Sequence, residues 1–490
     1  ASDLYYENGY TSNIITREDV VDEENRSISF VINIIERPRS HIERIVIKGN
    51  TKTKDEVILR ELNIETGDIF SRNKFMTGMR NLYNLQFFSS ILPDLTQGSE
   101  ENLVEMVISV EEGNTTSIEF GLTFTGSANA ETFPVSLFAK FQDNNLMGSG
   151  QALGTTATLA FDEQSLEVSY AHRYLFNLPL TINFSLGAAH TVNYTEQIMY
   201  LPSMNNTDYQ MSYDQWDIKL GIGTGYRWLP NFAMVTLSGG FTFGLLQNFY
   251  DKTLYVPVDS TVRSNHGKWN WNNTIWTSIA LDDRDIYYDP TKGWFFKQRI
   301  GWTGLFPFIE NEYYLKTDTK LEGYLTLLDI PFSDTWSLKF VLAGYSGLSA
   351  IFPLSSDLIS NSSQLYIDGM FNGRGWNFSS GSLSYIRGNA MWSNWVELRI
   401  PVVPNILAID FFMDAIAVKK DIGDLFTNLG LEDFYFSFGP GFRFSIPQFP
   451  LRLMFANTFK VKDGSVVWGS NGRAKGPEWK FTLSFNLANQ

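Results

Sequence analysis

The residue with the clearest chemical requirement is Arg374, which lies in a run of glycines and aromatics, residues 371–376. A guanidinium in such surroundings either reaches solvent or needs carboxylate partners, because an unpaired buried charge is costly. Glu397 lies in a stretch of alternating apolar and polar residues, and Asp414 lies in an otherwise apolar one, 409–418. The residues alone leave two interpretations open: a surface arginine on a loop, or a buried arginine that binds carboxylates.

A second group of charges could bind a cation, since hard cations take several oxygen ligands. Its members are Asp282, Asp283, Asp285 and Asp289. The spacing lacks the glycine and the terminal glutamate of an EF-hand loop. This favours a polar turn that leads into a strand over a calcium site.

The sequence offers no convincing catalytic set, and we expect neither an enzyme nor a bound cofactor or metal. There are no cysteines, which excludes thiolate ligands and a cysteine nucleophile. A G-x-S-x-G elbow is absent, and Gly148-Ser149-Gly150 precedes no helix that could bind phosphate. The four histidines show no HExxH spacing; they are His41, His172, His190 and His266.

Composition narrows the class of protein. The 490 residues carry a net charge of -15, and only 19% are charged while 15% are aromatic. The acidic balance argues against a nucleic-acid partner. No window reads as 18 or more apolar residues, so a transmembrane helix is not expected. A large soluble β protein and a membrane barrel with alternating residues both fit this composition.

The first 113 residues are charged and carry helical signals. Thr53 with Glu56 forms a capping box that predicts a helix to about Leu62, and Ser71 predicts the cap of a second helix. Strands are expected at 42–48 and 104–110, which gives a small α+β unit. Residues 1–38 resemble the back half of another such unit, with a turn at 22–25 and a strand at 27–35.

From about Thr115 the apolar residues alternate with polar ones. Leu180, Ile182, Phe184 and Leu186 share one face, and an aromatic face recurs around Phe434–Phe444. A soluble sandwich would bury such faces against a second sheet. The number of segments and the lack of covering helices favour a transmembrane antiparallel barrel. Long polar connections are expected at 192–215, 250–268 and 350–385, and a tight turn at 447–450.

Several stretches resemble the BamA family of outer-membrane assembly factors, over nearly the whole chain. Residues 41–114 are similar to the family's last POTRA domain, a periplasmic docking module. The stretches that carry the resemblance are IVIKGN (45–50), LYNLQFF (82–88), VEEGN (110–114), DNNLMGSG (143–150), LDDRDIYYDPTKG (281–293) and FNGRGW (371–376). The last matches the family's Arg-Gly-aromatic loop motif, although Gly373 stands where a β-branched residue is usual.

The resemblance implies a fold and a set of site residues. It implies a barrel of about sixteen strands over 114–490, a last POTRA domain over 40–113, and the remnant of another over 1–39. Because the chain opens inside a structured segment and lacks a signal-peptide pattern, we expect a protein truncated at its N-terminus. The resemblance also places Arg374 against two carboxylates inside the barrel. The expected luminal latch is Gly373, Arg374, Gly375, Trp376, Glu397 and Asp414.

The function implied is insertion of other β-barrels into the outer membrane through a lateral seam between the first and last strands. The expected seam residues are Ile118, Phe120, Gly121, Leu122, Trp479, Phe481, Leu483 and Phe485. The alternative is a polypeptide secretion pore of the same superfamily. A barrel hydrolase is a further alternative, against which the lack of a Ser-His pair counts.

The expected location is the outer membrane, with the POTRA domains in the periplasm. The partners implied are unfolded β-barrel clients, accessory assembly lipoproteins at the POTRA domains, and outer-membrane lipid. The acidic turn with Glu65 and Asp68 is the candidate surface for a basic partner, since exposed charges steer association.

Overall fold

The computed structural model divides the chain into two compact units, one of residues 1–116 with 143–152 and one of 117–142 with 153–490. The residues that the structure describes are 2–22, 27–124, 135–198, 210–230, 232–287, 289–306, 309–310, 312–333, 336–355, 359–360, 363–367, 369, 372–376, 386–403, 406–446, 449–469 and 476–484.

The first unit opens with a short helix and a hairpin. Helix α1 spans Ser2–Glu7, and strands β1 (Ile14–Asp22) and β2 (Ser27–Ile35) pair antiparallel from Ile14 opposite Ile35. The strand predicted at 27–35 is confirmed. The turn predicted at 22–25 lies mostly outside the described residues.

The rest of the first unit is the predicted α+β unit, and its elements follow the order strand, helix, helix, strand, strand. These elements are β3 (His41–Lys48), α2 (Asp55–Leu62), α3 (Arg72–Leu85), β4 (Phe88–Gln97) and β5 (Leu103–Glu112). Strand β5 lies in the middle, parallel to β3 and antiparallel to β4. The helices bury Leu62 and Leu82 against Met106 and Ile108 of the central strand. The sheet therefore has one face covered by both helices.

Of the two predicted helix caps, one is right and one is wrong. The Ser71 side chain accepts a hydrogen bond from the backbone N–H of Lys74, as predicted. Helix α2 is instead preceded by Lys54, with no side-chain cap. The Thr53 hydroxyl donates to Glu112 (3.0 Å) and accepts from the Asn145 amide (2.7 Å). Contacts distant in sequence have thus displaced the local capping box.

The second unit is a barrel of antiparallel strands. In chain order its elements are β6 (Thr116–Phe124), β7 (Val135–Leu146), β8 (Gln151–Leu159), β9 (Glu163–His172), β10 (Leu180–Glu196), β11 (Gln210–Trp228), β12 (Met234–Phe249), α4 (Ser260–Ser264), β13 (Asn270–Trp271), β14 (Thr274–Asp282), β15 (Gly293–Thr303), β16 (Tyr314–Ser333), β17 (Trp336–Pro353), β18 (Leu365–Tyr366), β19 (Arg387–Gly388), β20 (Ala390–Val403), β21 (Leu407–Lys419), α5 (Ile422–Thr427), β22 (Phe434–Ile446), β23 (Phe449–Lys462), β24 (Ser465–Trp468) and β25 (Lys480–Ser484).

The strands form a closed ring in which β25 is the neighbour of β6. Strands β13 and β14 both pair with β12, and β24 and β25 both pair with β23, so each of these two sets fills one place. The described strands therefore occupy 16 places around the barrel. The predicted fold, a barrel of about sixteen strands, is confirmed. Strands β18 and β19 form a separate ribbon.

The two faces of the barrel differ as the alternation predicts. Leu186 lies opposite Leu220 on neighbouring strands, and both side chains are exposed on the outer surface. Glu397, Arg399 and Asp410 are buried on the inner side. An apolar outside and a polar interior are what a bilayer requires of a barrel. No helix in the described part of the chain is long and apolar enough to cross a membrane.

Two of the predicted long connections are shorter than expected, because the strands continue into them. Strand pairing between β10 and β11 runs on to Glu196 opposite Gln210, which leaves 197–209 as the connection. Strand β17 likewise continues to Pro353. The connection at 250–268 contains helix α4. The tight turn at 447–450 lies partly outside the described residues, and its second half belongs to β23.

Candidate functional site

Arg374 reaches the barrel interior on a segment, 372–376, of the long connection between β17 and β20. Its two glycine neighbours have left-handed backbones, with φ of +63° at Gly373 and +83° at Gly375. A Cβ at Gly373 would lie 2.5 Å from Ile367 Cγ2, and one at Gly375 would lie 2.6 Å from Ala456 Cβ. Only glycine fits such positions without strain. The backbone of this segment therefore favours glycine at both positions.

The Arg374 side chain is buried between two strands of the barrel wall. Its Nε donates to Asp414 Oδ2 at 2.9 Å, and its Nη2 forms an ion pair with the same carboxylate. Its Nη1 forms an ion pair with Glu397, and its backbone N–H also donates to Asp414, at 3.0 Å. The guanidinium lies over the Phe412 ring, 4.0 Å from its centre. The planar guanidinium thus binds Asp414 through two nitrogens and Glu397 through a third, a geometry that the compact ammonium of lysine does not offer.

Glu397 binds more arginines than the sequence predicts. It is only 1% exposed, and three arginines converge on it. Besides Arg374, Arg399 donates from Nε at 2.9 Å and Arg452 from Nη1 at 3.1 Å. Arg399 could have been found, because residues two apart on a strand share a face. Arg452 lies 55 residues from Glu397 and left no comparable signal.

Trp376 fixes the end of the loop segment. Its Nε1 donates to the Phe436 carbonyl at 3.0 Å, and its ring meets Tyr435 edge-on, 5.1 Å between centres. The indole packs against Ile367 and Ile416. The structure therefore brings all six predicted latch residues together inside the barrel.

The carboxylates of the second predicted group do not converge. Asp282 binds Arg284 through both oxygens, at 2.9 and 2.6 Å. Asp285 accepts from the backbone N–H of Thr291 at 2.9 Å and from its hydroxyl at 2.6 Å. Asp289 binds Arg443. Among the described residues, no set of three or more His, Asp or Glu side chains is placed to hold a metal ion.

Most of the predicted seam residues lie on two neighbouring terminal strands, β6 and β25, and Trp479 directly precedes β25. Phe120 is 74% exposed and Phe481 is 59% exposed; Ile118 and Trp479 are exposed as well. Phe481 also packs against Phe455 of β23, with 5.6 Å between ring centres. Gly121 and Leu122 belong to β6 and Leu483 to β25. Phe485 lies outside the described residues.

The predicted partner surface of the first unit is a tight turn between α2 and α3. Glu65 is exposed, and Asp68 is partly covered. Lys74 Nζ lies 3.6 Å from the Asp68 carboxylate, so part of its charge is already matched. Glu65 is therefore the freer of the two acidic groups, and binding of a partner here stays a prediction.

Burial also marks a carboxylate in a connection outside the predicted sites. Glu312 precedes β16 and accepts from the backbone N–H of Ser360 and from the Ser363 hydroxyl, both at 2.8 Å. Burial raises the pKa of Glu312 above its ordinary value of 4.5, despite these donors. No pattern in the residues around Glu312 predicts this burial.

A closed antiparallel barrel whose interior holds a loop arginine between two wall carboxylates defines an outer-membrane-type barrel with an internal latch. The model of the Omp85 superfamily domain matches residues 145–486, and the POTRA model, a surface antigen variable number repeat, matches residues 40–113. The chain therefore belongs to the Omp85 superfamily.

Two relatives support this assignment to the superfamily. A Treponema pallidum (strain Nichols) protein with the provisional name outer membrane protein assembly factor is 38% identical over 100% of this chain. A protein of Nitratidesulfovibrio vulgaris (strain ATCC 29579), named outer membrane protein assembly factor BamA, is 28% identical over 35% of the chain. This chain spans 62% and 21% of the lengths of these relatives.

A solved structure shares the fold. BamA from Haemophilus ducreyi lacking POTRA domains 1–3 is 18% identical, with a TM-score of 0.52. The alignment covers 98% of this chain and 91% of that one. At this identity the likeness concerns the fold alone.

Proposed function

We propose that this chain is the membrane-embedded part of an outer-membrane assembly factor that folds and inserts other β-barrels. The names of the Treponema and Nitratidesulfovibrio relatives support this activity. The observation that carries the proposal is the junction of β6 with β25, because the last place of the wall is filled by two separate strands, β24 and β25. Residues 476–479, directly before β25, are described and belong to no strand.

The physical argument starts from unpaired backbone groups. The edge strand of a folding barrel exposes N–H and C=O groups, and each is costly in lipid. A factor that offers its own strand edge can pair with them by β-augmentation, with no nucleotide and no catalytic residue. A terminal strand that is interrupted in this way leaves part of the opposite edge available for such pairing. The junction of β6 and β25 is therefore the proposed lateral gate.

The barrel interior favours insertion over the alternative, a secretion pore. The segment with Arg374 is bound inside the barrel by three groups: Asp414, Glu397 and the Phe436 carbonyl. An unfolded chain that crossed the interior would pass the loop segment that these buried ion pairs hold. Lateral passage through the wall would leave them intact.

Introduced disulfides test the gate, and the chain has no native cysteine to interfere. Cysteines at Phe120 or Leu122, combined with cysteines at Phe481 or Leu483, should form a disulfide where the registers match. The oxidised variant should lose insertion of a barrel client into lipid vesicles, and reduction should restore it. A matched control is Val396→Cys with Met413→Cys, which are paired on β20 and β21 and exposed on the outside.

The control disulfide should leave insertion unchanged. A locked β6–β25 variant that still inserts clients at the normal rate would refute the gate. Depletion of the protein in its host then separates the two functions. Loss of many outer-membrane barrels indicates an assembly factor, and loss of one secreted protein indicates a pore.

The proposed partners follow from this role. Unfolded β-barrel clients would meet the lateral gate, and outer-membrane lipid would face the apolar outer surface. Accessory assembly lipoproteins would bind the first unit, with the unit in the periplasm and the turn of Glu65 as one contact. Exposed charges of this kind mainly accelerate association.

A further inference from the structure

The connection between β14 and β15 is a turn that is braced from within. Arg284 binds Asp282 on one side, and its Nη1 reaches Glu322 of β16 at 3.2 Å. Asp285 closes the other side by accepting from the backbone and hydroxyl of Thr291. These bonds pair Asp282, Arg284 and Asp285 and hold the turn in a defined shape. A turn of defined shape can present a remaining side chain in one place.

That remaining side chain is Asp289, whose partner lies on another part of the wall. Arg443 of β22 donates from Nη1 to Asp289 Oδ1 at 2.6 Å. Its Nε donates to Asp410 Oδ2 of the adjacent strand β21 at 3.0 Å. All three side chains are buried, and 154 residues separate Asp289 from Arg443. The Arg443 guanidinium therefore links Asp410 on the adjacent strand to Asp289 in the distant turn.

The ring order shows what this contact spans. From β15 to β22 the wall passes through β16, β17, β20 and β21, so the turn and its partner are not neighbours. Asp410 lies near the start of β21 and Arg443 near the end of β22, so both lie at the barrel end where β14 ends. The long connection with Arg374 belongs to the opposite end. Segments from both ends thus reach the same set of strands.

We propose that Asp289 and Arg443 form a second internal clasp, which holds the β14–β15 turn against β21 and β22. Arg443 is then a positioning residue, because Asp410 alone could match its charge and, among the described residues, Asp289 is the one that ties it to the turn. The clasp shares no residue with the latch at Arg374, and its proposal does not depend on the assembly activity. Its role is to fix the position of the turn inside the barrel end.

Distance measurements between spin labels test this position. Labels are attached to Lys292→Cys in the turn and Ile406→Cys beside β21, both of which are exposed positions. In lipid nanodiscs the parent chain should give one narrow distance distribution. Asp289→Asn should broaden it severalfold, because a neutral amide loses the charge-assisted bond. Asp410→Asn, which removes the other carboxylate of the same arginine, is the matched control and should keep it narrow.

Exchange of the two charges provides a second arm. Arg443→Asp should broaden the distribution, and Asp289→Arg combined with Arg443→Asp should narrow it again. If Arg443→Asp does not reach the folded, heat-modifiable form, Asp289→Glu replaces this arm and should keep the distribution narrow. A distribution that Asp289→Asn leaves unchanged would overturn the clasp. So would equal broadening by Asp289→Asn and Asp410→Asn.

Discussion

Glu397, rather than Arg374, should be the more sensitive member of the luminal latch. Replacing Arg374 by Ala leaves Asp414 without its arginine, whereas Glu397 keeps Arg399 and Arg452. Removing one partner of a buried pair costs about 3–5 kcal/mol. Because a barrel interior is polar and admits water, the lower end of this range, about 3 kcal/mol, applies to Arg374→Ala.

Glu397→Ala removes the carboxylate that three arginines share. Within the described part of the chain, Arg399 and Arg452 have their ion pairs with this residue, so both lose them together. Glu397→Ala therefore leaves at least one more buried charge without a partner than Arg374→Ala does. We expect a loss larger by roughly a further 3 kcal/mol, reduced where water reaches the guanidinium groups.

The assay measures the temperature at which half of the protein has lost its folded, heat-modifiable band on a gel. Unfolding in urea then gives the free energy of unfolding for each variant. The double variant Arg374→Ala with Glu397→Ala closes a mutant cycle. Its loss should be smaller than the sum of the single losses, since contacting charges are not additive. The reasoning is refuted if Arg374→Ala destabilises the barrel as much as Glu397→Ala does. A strictly additive double variant would contradict the proposed coupling.

Three further predictions concern other residues. Reversing Glu65 and Asp68 to Lys should weaken capture of a basic partner mainly at low salt, since salt screens exposed charges; equal capture at low and high salt would exclude this turn. Gly373→Val should cost about 1–3 kcal/mol in thermal unfolding, because its φ is positive and Ile367 fills the space; an unchanged midpoint would show that the segment repacks. Glu312 has a raised pKa, so the folded barrel favours its protonated form. Its contribution to stability is therefore present below the ordinary value of 4.5 and is lost as pH rises through the folded pKa. Glu312→Gln should gain on the parent chain from acidic to neutral pH, and a pH-independent difference would contradict this.

Local patterns predicted much of the fold. Two-residue alternation predicted the strands, and Ser71 predicted a helix cap, because both signals depend on residues close in sequence. Thr53 carried an equally good local signal, yet Glu112 and Asn145 bind its hydroxyl. The polar residues near Glu196 predict a loop, yet Thr195 is buried there and Met211 of the paired strand packs against Val262 of a distant connection. The errors thus arise where partners distant in sequence decide the structure.

The site divides in the same way. The motif around Arg374 and its resemblance led to Glu397 and Asp414, because a buried guanidinium requires carboxylates. Arg452 and Arg443 sit among ordinary strand residues, and nothing near them in sequence indicates their partners. Asp289 was recognised only as part of an acidic turn. Its role depends on the curvature of the wall, which brings β15 and β22 within reach across the interior.

The sequence distances within these ion pairs have a kinetic consequence. Arg374 meets Glu397 and Asp414 over 23 and 40 residues, and Asp289 meets Arg443 over 154. The entropic cost of closing a loop rises with its length, and non-local contacts form late in folding. Both sets of ion pairs need β20 to β22 in place, so they should be absent from the transition state. Their loss should then accelerate unfolding while the folding rate stays nearly constant. The buried arginines would therefore set the unfolding rate of the barrel, because their ion pairs form only after the wall that they connect is complete.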